Sequence, residues 1–216
     1  MILPFVSPDE VTRAIPQVKA HLASGGLLGY PTETVYGLGS APTDVALDAL
    51  ARLKGRPPKK PFLLLVSSEG MAEEWGLVLS RSARALAAAF WPGPLTLVLR
   101  GGEGMLPERL RGAEGGIAVR YTSHNDIRRL IDACATPLTS TSANRPGGQP
   151  APGAAGIAAL FAEAAESGEL MVLDGGVLGN VPPSTLVDCT ESVPRLVREG
   201  AIPREELRRA VGSLAP

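Results

Sequence analysis

The segment Tyr30-Pro31-Thr32-Glu33-Thr34-Val35-Tyr36-Gly37-Leu38-Gly39 gathers two threonines, a carboxylate and two glycines. It follows a short apolar run, Leu27-Leu28-Gly29, and precedes a helical pattern from about Thr43. Handovers from strand to helix are where α/β proteins often place ligands. The spacing fits neither G-x-x-x-x-G-K-[ST] nor G-x-G-x-x-G, so the common nucleotide motifs do not apply. The ordinary structural reading is a turn closed by a side-chain hydroxyl.

A basic loop comes next, Lys54-Gly55-Arg56-Pro57-Pro58-Lys59-Lys60-Pro61. Cations on a proline-stiffened frame suit phosphate binding. Lys54 also ends a helix, where a cation complements the dipole; Arg56 and Lys60 could equally form a solvated patch. Ser140-Thr141-Ser142-Ala143-Asn144 stands at the end of a strand. Its hydroxyls and amide make a cradle for an anion or a ribose, or a serine- and asparagine-rich turn. Arg120 closes the apolar run Ile117-Ala118-Val119, where it can grip a carboxylate bidentately or serve as a plain strand-end charge. Pro183-Ser184-Thr185 and Arg198-Glu199-Gly200 say less alone. Together these groups offer cations, hydroxyls and an amide, without an obvious nucleophile, a carboxylate pair or a metal cluster. Such a set binds and orients anionic reactants, and phosphoryl or nucleotidyl transfer can run on positioning and charge stabilisation alone.

The elements that must hold these groups alternate between strand and helix, which predicts an α/β fold. Ser7-Pro8-Asp9-Glu10 is a capping box opening a helix that stops at Gly25-Gly26, with Pro16 marking a kink or break. Strand Leu27–Tyr30 follows, then a helix from Thr43 with Val45, Leu47, Leu50 and Leu53 facing the core. Strands are predicted at Phe62–Val66, Leu95–Leu99, Ile117–Tyr121, Pro137–Thr141, Leu170–Leu173, Thr185–Asp188 and Arg195–Val197. Helices are predicted at Ser67–Trp75, Ser80–Phe90, Ala154–Ser167 and Pro203–Ala210, with another running from a Ser123 cap to Ala135. Gly101–Gly116 reads as a surface loop. The closely spaced late strands predict a mixed rather than purely parallel sheet. One domain spans residues 7–202, followed by a C-terminal helix and tail over 203–216.

Composition narrows the function classes. The chain has 216 residues, 44% hydrophobic and only 4% aromatic, so its core must be aliphatic. A net charge of -1 gives no overall pull toward nucleic acid or membrane. Cys134 and Cys189 have no metal spacing and read as thiols in a reducing cytoplasm; His21 and His124 lie far apart. Met1–Phe5 lacks the basic start of a signal peptide, and no apolar run is long enough to span a bilayer.

With these residues in place, the chain resembles the YrdC-like threonylcarbamoyl-AMP synthases. The resemblance rests on the decapeptide from Tyr30, Lys54-Gly55-Arg56-Pro57, Ser142-Ala143-Asn144, Ser184-Thr185-Leu186-Val187-Asp188 and Arg198-Glu199-Gly200, in the family's order. It implies an open, twisted α/β sheet around a positively charged cavity, and formation of threonylcarbamoyl-AMP and pyrophosphate from L-threonine, bicarbonate and ATP, with Mg2+ accompanying the ATP. The product serves threonylcarbamoyladenosine modification of tRNA through a downstream transferase, in the cytoplasm. The resemblance also implies site roles. Thr32, with Thr34 as a second candidate, Arg120, Ser140 and Ser184 would contact threonine. Lys54, Arg56, Lys60, Ser142, Asn144 and Arg198 would contact ATP. Leu65 stands where many longer relatives carry histidine, and Gly116 where a hydroxyl is common. Arg145-Pro146-Gly147-Gly148 departs from the usual sequence after S-A-N. The longer relatives carry a further C-terminal domain, which a chain ending at Pro216 is expected to lack. Two other readings stand beside the synthase. A carbamoyl-adenylate-forming relative normally sits in a much larger chain with cysteine-rich segments. An RNA-binding or ribosome-assembly module would want stacking aromatics, which are scarce here.

Overall fold

The computed structural model describes residues 1–55, 60–179 and 181–215. Its elements run β1 (Ile2–Pro4), α1 (Pro8–Ala23), β2 (Leu27–Tyr30), β3 (Gly37–Gly39), α2 (Asp44–Lys54), β4 (Leu63–Val66), α3 (Glu69–Glu74), β5 (Leu77–Val78), α4 (Arg81–Phe90) and β6 (Leu95–Gly101). They continue with β7 (Ile117–Tyr121), α5 (Asn125–Cys134), β8 (Leu138–Ser142), α6 (Ala154–Leu160), α7 (Ala162–Glu166), β9 (Leu170–Asp174), β10 (Thr185–Asp188), β11 (Arg195–Arg198) and α8 (Arg204–Val211).

Local chemistry explains the starts. Ser7 Oγ accepts the Glu10 N–H at 3.3 Å while the Glu10 carboxylate accepts the Ser7 N–H at 2.8 Å, closing the expected capping box. Pro16 does not end α1, which runs on to Ala23; it lies on the exposed side, where water can satisfy the carbonyl it orphans. Val45 points to solvent, 78% exposed, and α2 instead buries Ala46, Leu47, Leu50 and Lys54. The cap of α5 is His124, one residue later than the expected Ser123: its Nδ1 accepts the Ile127 N–H at 3.4 Å. Burial lowers the His124 pKa, in keeping with an imidazole that caps as a neutral acceptor. The expected helix 154–167 breaks at Phe161 into α6 and α7. The loop 101–116 is pinned to the core by Leu106 and Leu110.

All the strands join one sheet of 11, in the order β1-β9-β2-β3-β8-β4-β7-β6-β10-β11, with β5 added beside β6. Parallel pairs, such as β4 with β7 and β6 with β10, occur beside antiparallel ones, such as β3 with β8 and β6 with β7. The predicted mixed, open sheet is therefore what forms. Strand β8 is the seam. It pairs β3 on one side and β4 on the other, and so joins the halves β1-β9-β2-β3 and β4-β7-β6-β10-β11. Leu64, Leu97 and Val119 lie side by side on one face, fully buried in the core. Helix α4 packs on β6 and against α8, and α1 on β2 and against α5.

Strand β3 was not expected; the decapeptide runs into a strand before reaching α2. It pairs with β2 and β8, and Gly39 makes the pairing possible. A Cβ there would lie 1.9 Å from the Thr139 carbonyl oxygen. Backbone cannot yield as a side-chain tip can, so Gly39→Ala is expected to cost about 3 kcal/mol or more by forced displacement of β8. A urea-unfolding midpoint close to that of the parent would refute this.

Candidate functional site

Alternation along the strands turns a second set of residues to the opposite face of the sheet. Leu63 sits across from Ser140, Ala118 from Val98, Leu65 from Arg120, and Leu186 from Thr96. Over this face lies a cavity of about 680 Å³, floored by Leu63, Thr96, Val98, Ala118, Arg120, Ser140 and Leu186. Its walls include Thr32, Thr34, Lys60, Ser142, Asn144, Ser184 and Arg198, with Gly148, Gln149, Pro150, Val181, Pro182 and Pro183 toward the rim. The sequence-predicted residues thus converge on one space, with two exceptions. Arg56 lies outside the described residues, and Lys54 is not part of the lining.

Lys54 is 5% exposed and turned into the protein. Its ammonium donates to the Ser142 carbonyl at 2.8 Å, to the Asn144 side-chain oxygen at 2.9 Å, and to the Asn144 carbonyl. The Ser142 hydroxyl reaches the same Asn144 oxygen at 2.5 Å, and the Asn144 amide nitrogen donates to the Gly148 carbonyl at 2.8 Å. A buried ammonium needs such acceptors. Lys54 thereby holds the Ser142-Ala143-Asn144 turn in shape, and left-handed Gly55 (φ 55) ends its helix directly after it.

The decapeptide loop is just as tightly tied. Thr32 Oγ1 donates to the Val35 carbonyl at 2.7 Å and accepts the N–H groups of Thr34 and Val35, each at 3.2 Å. Its hydroxyl is used up in a turn of the kind the sequence suggested. Thr34 differs: its Oγ1 lies 3.1 Å from Thr32 Oγ1 and accepts from Arg120 Nη1 at 3.2 Å. It therefore couples the loop to the floor.

Arg120 is 4% exposed, and a guanidinium buried so deeply needs a counter-charge. Glu33 supplies it from the loop, with Oε1 at 3.7 Å from Arg120 Nε. The other Glu33 oxygen accepts from the Thr122 hydroxyl at 2.5 Å. Arg198 reaches in from β11 and donates to the Ser184 carbonyl at 2.9 Å. Burial, with the nearby Arg120 cation adding to it, pulls the Arg198 pKa below its usual value. Two guanidiniums that feel one another across a cavity favour an anion between them. Gly200 permits the tight turn after Arg198, since a Cβ there would stand 2.2 Å from the Pro183 carbonyl oxygen.

Reading the sequence missed Thr96, whose hydroxyl lies 2.8 Å from that of Ser184 and is 2% exposed. The signal was present as the one polar residue in Leu95-Thr96-Leu97-Val98-Leu99, which alternation sends to the cavity face. Of the rim, Gln149, Pro150, Val181 and Pro182 were missed as well, as a lone amide and apolar loop residues have no chemical signature of their own. Among the described residues no three His, Cys, Asp or Glu side chains cluster as a metal site, and the cavity lining contains no carboxylate. No helix among them is long and apolar enough to cross a membrane.

The protein is thus an α/β protein whose open mixed sheet carries a cation- and hydroxyl-lined cavity on one face. The chain belongs to the Sua5/YciO/YrdC family, whose model, described as "Telomere recombination", matches residues 20–200. A threonylcarbamoyl-AMP synthase from Chromohalobacter salexigens is 40% identical over 181 residues, covering 83% of this chain and 95% of that protein. One from Pyrococcus abyssi is 35% identical over 195 residues, 89% of this chain; the chain spans 56% of that relative's length. The crystal structure of P. abyssi Sua5 complexed with L-threonine superposes with a TM-score of 0.88 at 32% identity, covering 100% of this chain and 62% of that one.

Proposed function

We propose that the protein is an L-threonylcarbamoyladenylate synthase. The observation that carries this reading is the convergence of Arg120, Arg198, Lys60 and a ring of hydroxyls on one cavity in a chain of this family. Its volume, about 680 Å³, suits two small reactants side by side. The threonine amine joins bicarbonate with loss of water to give a carbamate. A carbamate oxygen then attacks the α-phosphorus of ATP, and the bond to the bridging oxygen breaks, so pyrophosphate leaves with the electron pair. Threonine reacts as its neutral amine, having given its proton to solvent, and the chain's contribution is positioning and charge stabilisation.

Arg120 grips the threonine carboxylate, assisted by Thr34, Ser140 and Ser184. The hydroxyl for threonine comes from Thr34, because that of Thr32 is already committed to the turn. Lys60, Arg198, Ser142 and Asn144 face the nucleotide, with Arg56 assigned there by its motif. Lys54 serves ATP by holding the wall at Ser142-Ala143-Asn144. A carboxylate-free lining does not fit a resident Mg2+ ion, so Mg2+ belongs to the ATP that brings it, as part of the substrate. The product passes to a tRNA-modifying transferase. A cytoplasmic site of action accords with two unpaired thiols, of which Cys189 has its pKa pushed up to about 12 by burial and so stays unreactive.

The purified protein is expected to release pyrophosphate from ATP and bicarbonate when L-threonine is present, with threonylcarbamoyl-AMP detected by mass spectrometry. Pyrophosphate release that ignores threonine, or no release, would sink the proposal.

A further inference from the structure

Glu33 lies outside the lining of the cavity, yet it is bound to the residue that matters most in it. Its side chain is 14% exposed and that of Arg120 is 5% exposed. Glu33 Oε1 and Arg120 Nε are both buried without a hydrogen-bond partner, 3.7 Å apart, so each offers the other the charge it lacks. Among the described residues Glu33 is the one carboxylate within 4.0 Å of the Arg120 nitrogens. The carboxylate is itself held from behind. Thr122, which is fully buried, donates to Oε2 at 2.5 Å and accepts the His124 N–H at 3.2 Å.

This arrangement divides the guanidinium into two edges. The Nε edge faces Glu33, and Nη1 on the other edge donates to Thr34 in the cavity wall. A guanidinium is planar, so fixing one edge fixes the direction of the other. We infer that Glu33 is a positioning residue, which holds Arg120 by its inner edge so that the outer edge meets a carboxylate substrate squarely. Glu33 also offsets the charge of Arg120 and permits the guanidinium to remain buried between turnovers. That the carboxylate belongs to threonine rests on the proposed synthase function; that Glu33 orients Arg120 does not.

The test uses Glu33→Gln, which keeps size and removes charge, alone and combined with Arg120→Lys, in the full chain. With Glu33→Gln the KM for L-threonine is expected to rise about tenfold, within the range of coupling inside one hydrogen-bonded network, while the KM for ATP stays put. In the Arg120→Lys background the same change should add nothing further, because Glu33 acts through the guanidinium. Additive effects, or equal increases in both KM values, would overturn the assignment. A second measurement needs no substrate. In protein labelled with 15N-arginine, the Arg120 Nε–H signal, identified by its loss in Arg120→Lys, should exchange faster with water in Glu33→Gln; an unchanged rate overturns the proposal. If the parent protein shows no threonine-dependent turnover, the synthase reading fails, and this exchange rate alone decides the role of Glu33.

Discussion

Arg120→Ala is expected to raise the KM for L-threonine at least about a hundredfold, the scale of losing one partner of a buried, hydrogen-bonded charge pair. The KM for ATP should move far less, since Lys60 and Arg198 remain. Two effects combine. The substrate carboxylate loses its fork, and Glu33 is left as a buried charge without its cation. The second effect lowers folding stability, so an Arg120→Lys variant separates them. Lysine restores the charge for Glu33 but cannot present two parallel donors, so stability should largely return while threonine affinity should not. Isothermal titration with threonine, beside thermal unfolding, reads both quantities. Unaltered threonine binding in Arg120→Ala would remove Arg120 from the site.

The second large effect is expected at Lys54, on stability as much as on turnover. Lys54→Met preserves bulk and loses the ammonium, leaving the Ser142 carbonyl, the Asn144 carbonyl and the Asn144 side-chain oxygen without their shared donor. The Asn144 side-chain oxygen keeps the Ser142 hydroxyl, but the two part-buried carbonyls lose their donor, at about 1–3 kcal/mol each, so a loss of roughly 2–4 kcal/mol is expected. Urea unfolding should show that loss, and ATP binding should fall as the Ser142-Ala143-Asn144 wall relaxes. Were Lys54 a phosphate ligand at a solvated loop, the same substitution would weaken ATP binding and leave the unfolding midpoint unchanged. The two readings therefore give opposite results in one titration of denaturant.

Lys54 also illustrates what the chain discloses by itself. A lysine at the last turn of a helix is explained well enough by the helix dipole, and nothing local signals that its ammonium is buried. Its partners stand about ninety positions further on. Strands β2 and β7 could be read to the residue, because each is a short apolar run bounded by a change of residue class. Strand β3 could not, since Gly37-Leu38-Gly39 has poor strand propensity and exists only because β2 and β8 flank it. Val45 looked apolar enough for the core, but Ala46, Leu47 and Leu50 form the stripe that is buried. The site itself was unusually legible. Thr34, Arg120, Ser140, Ser184 and Arg198 sit at strand ends or in motif loops, and all five meet in one cavity. Glu33 was visible as part of the motif, yet its partner Arg120 is on another strand, and no spacing rule joins them.

The position of β8 in the chain has a consequence for how the protein is made. As the polypeptide leaves the ribosome, β3 and β4 emerge long before Leu138–Ser142, the stretch that must lie between them. Strand β2 likewise waits for β9 at Leu170–Asp174, and β6 for β10 at Thr185–Asp188. Non-local pairing of this kind slows folding, because loop closure must come before the contacts that reward it. Until Leu138–Ser142 has emerged, the nascent chain therefore travels with exposed strand edges and an unformed cavity, the stage at which folding chaperones have their opportunity. The cavity is complete only once β10 and β11 have followed β8 and β9 and brought Ser184 and Arg198 to its far wall.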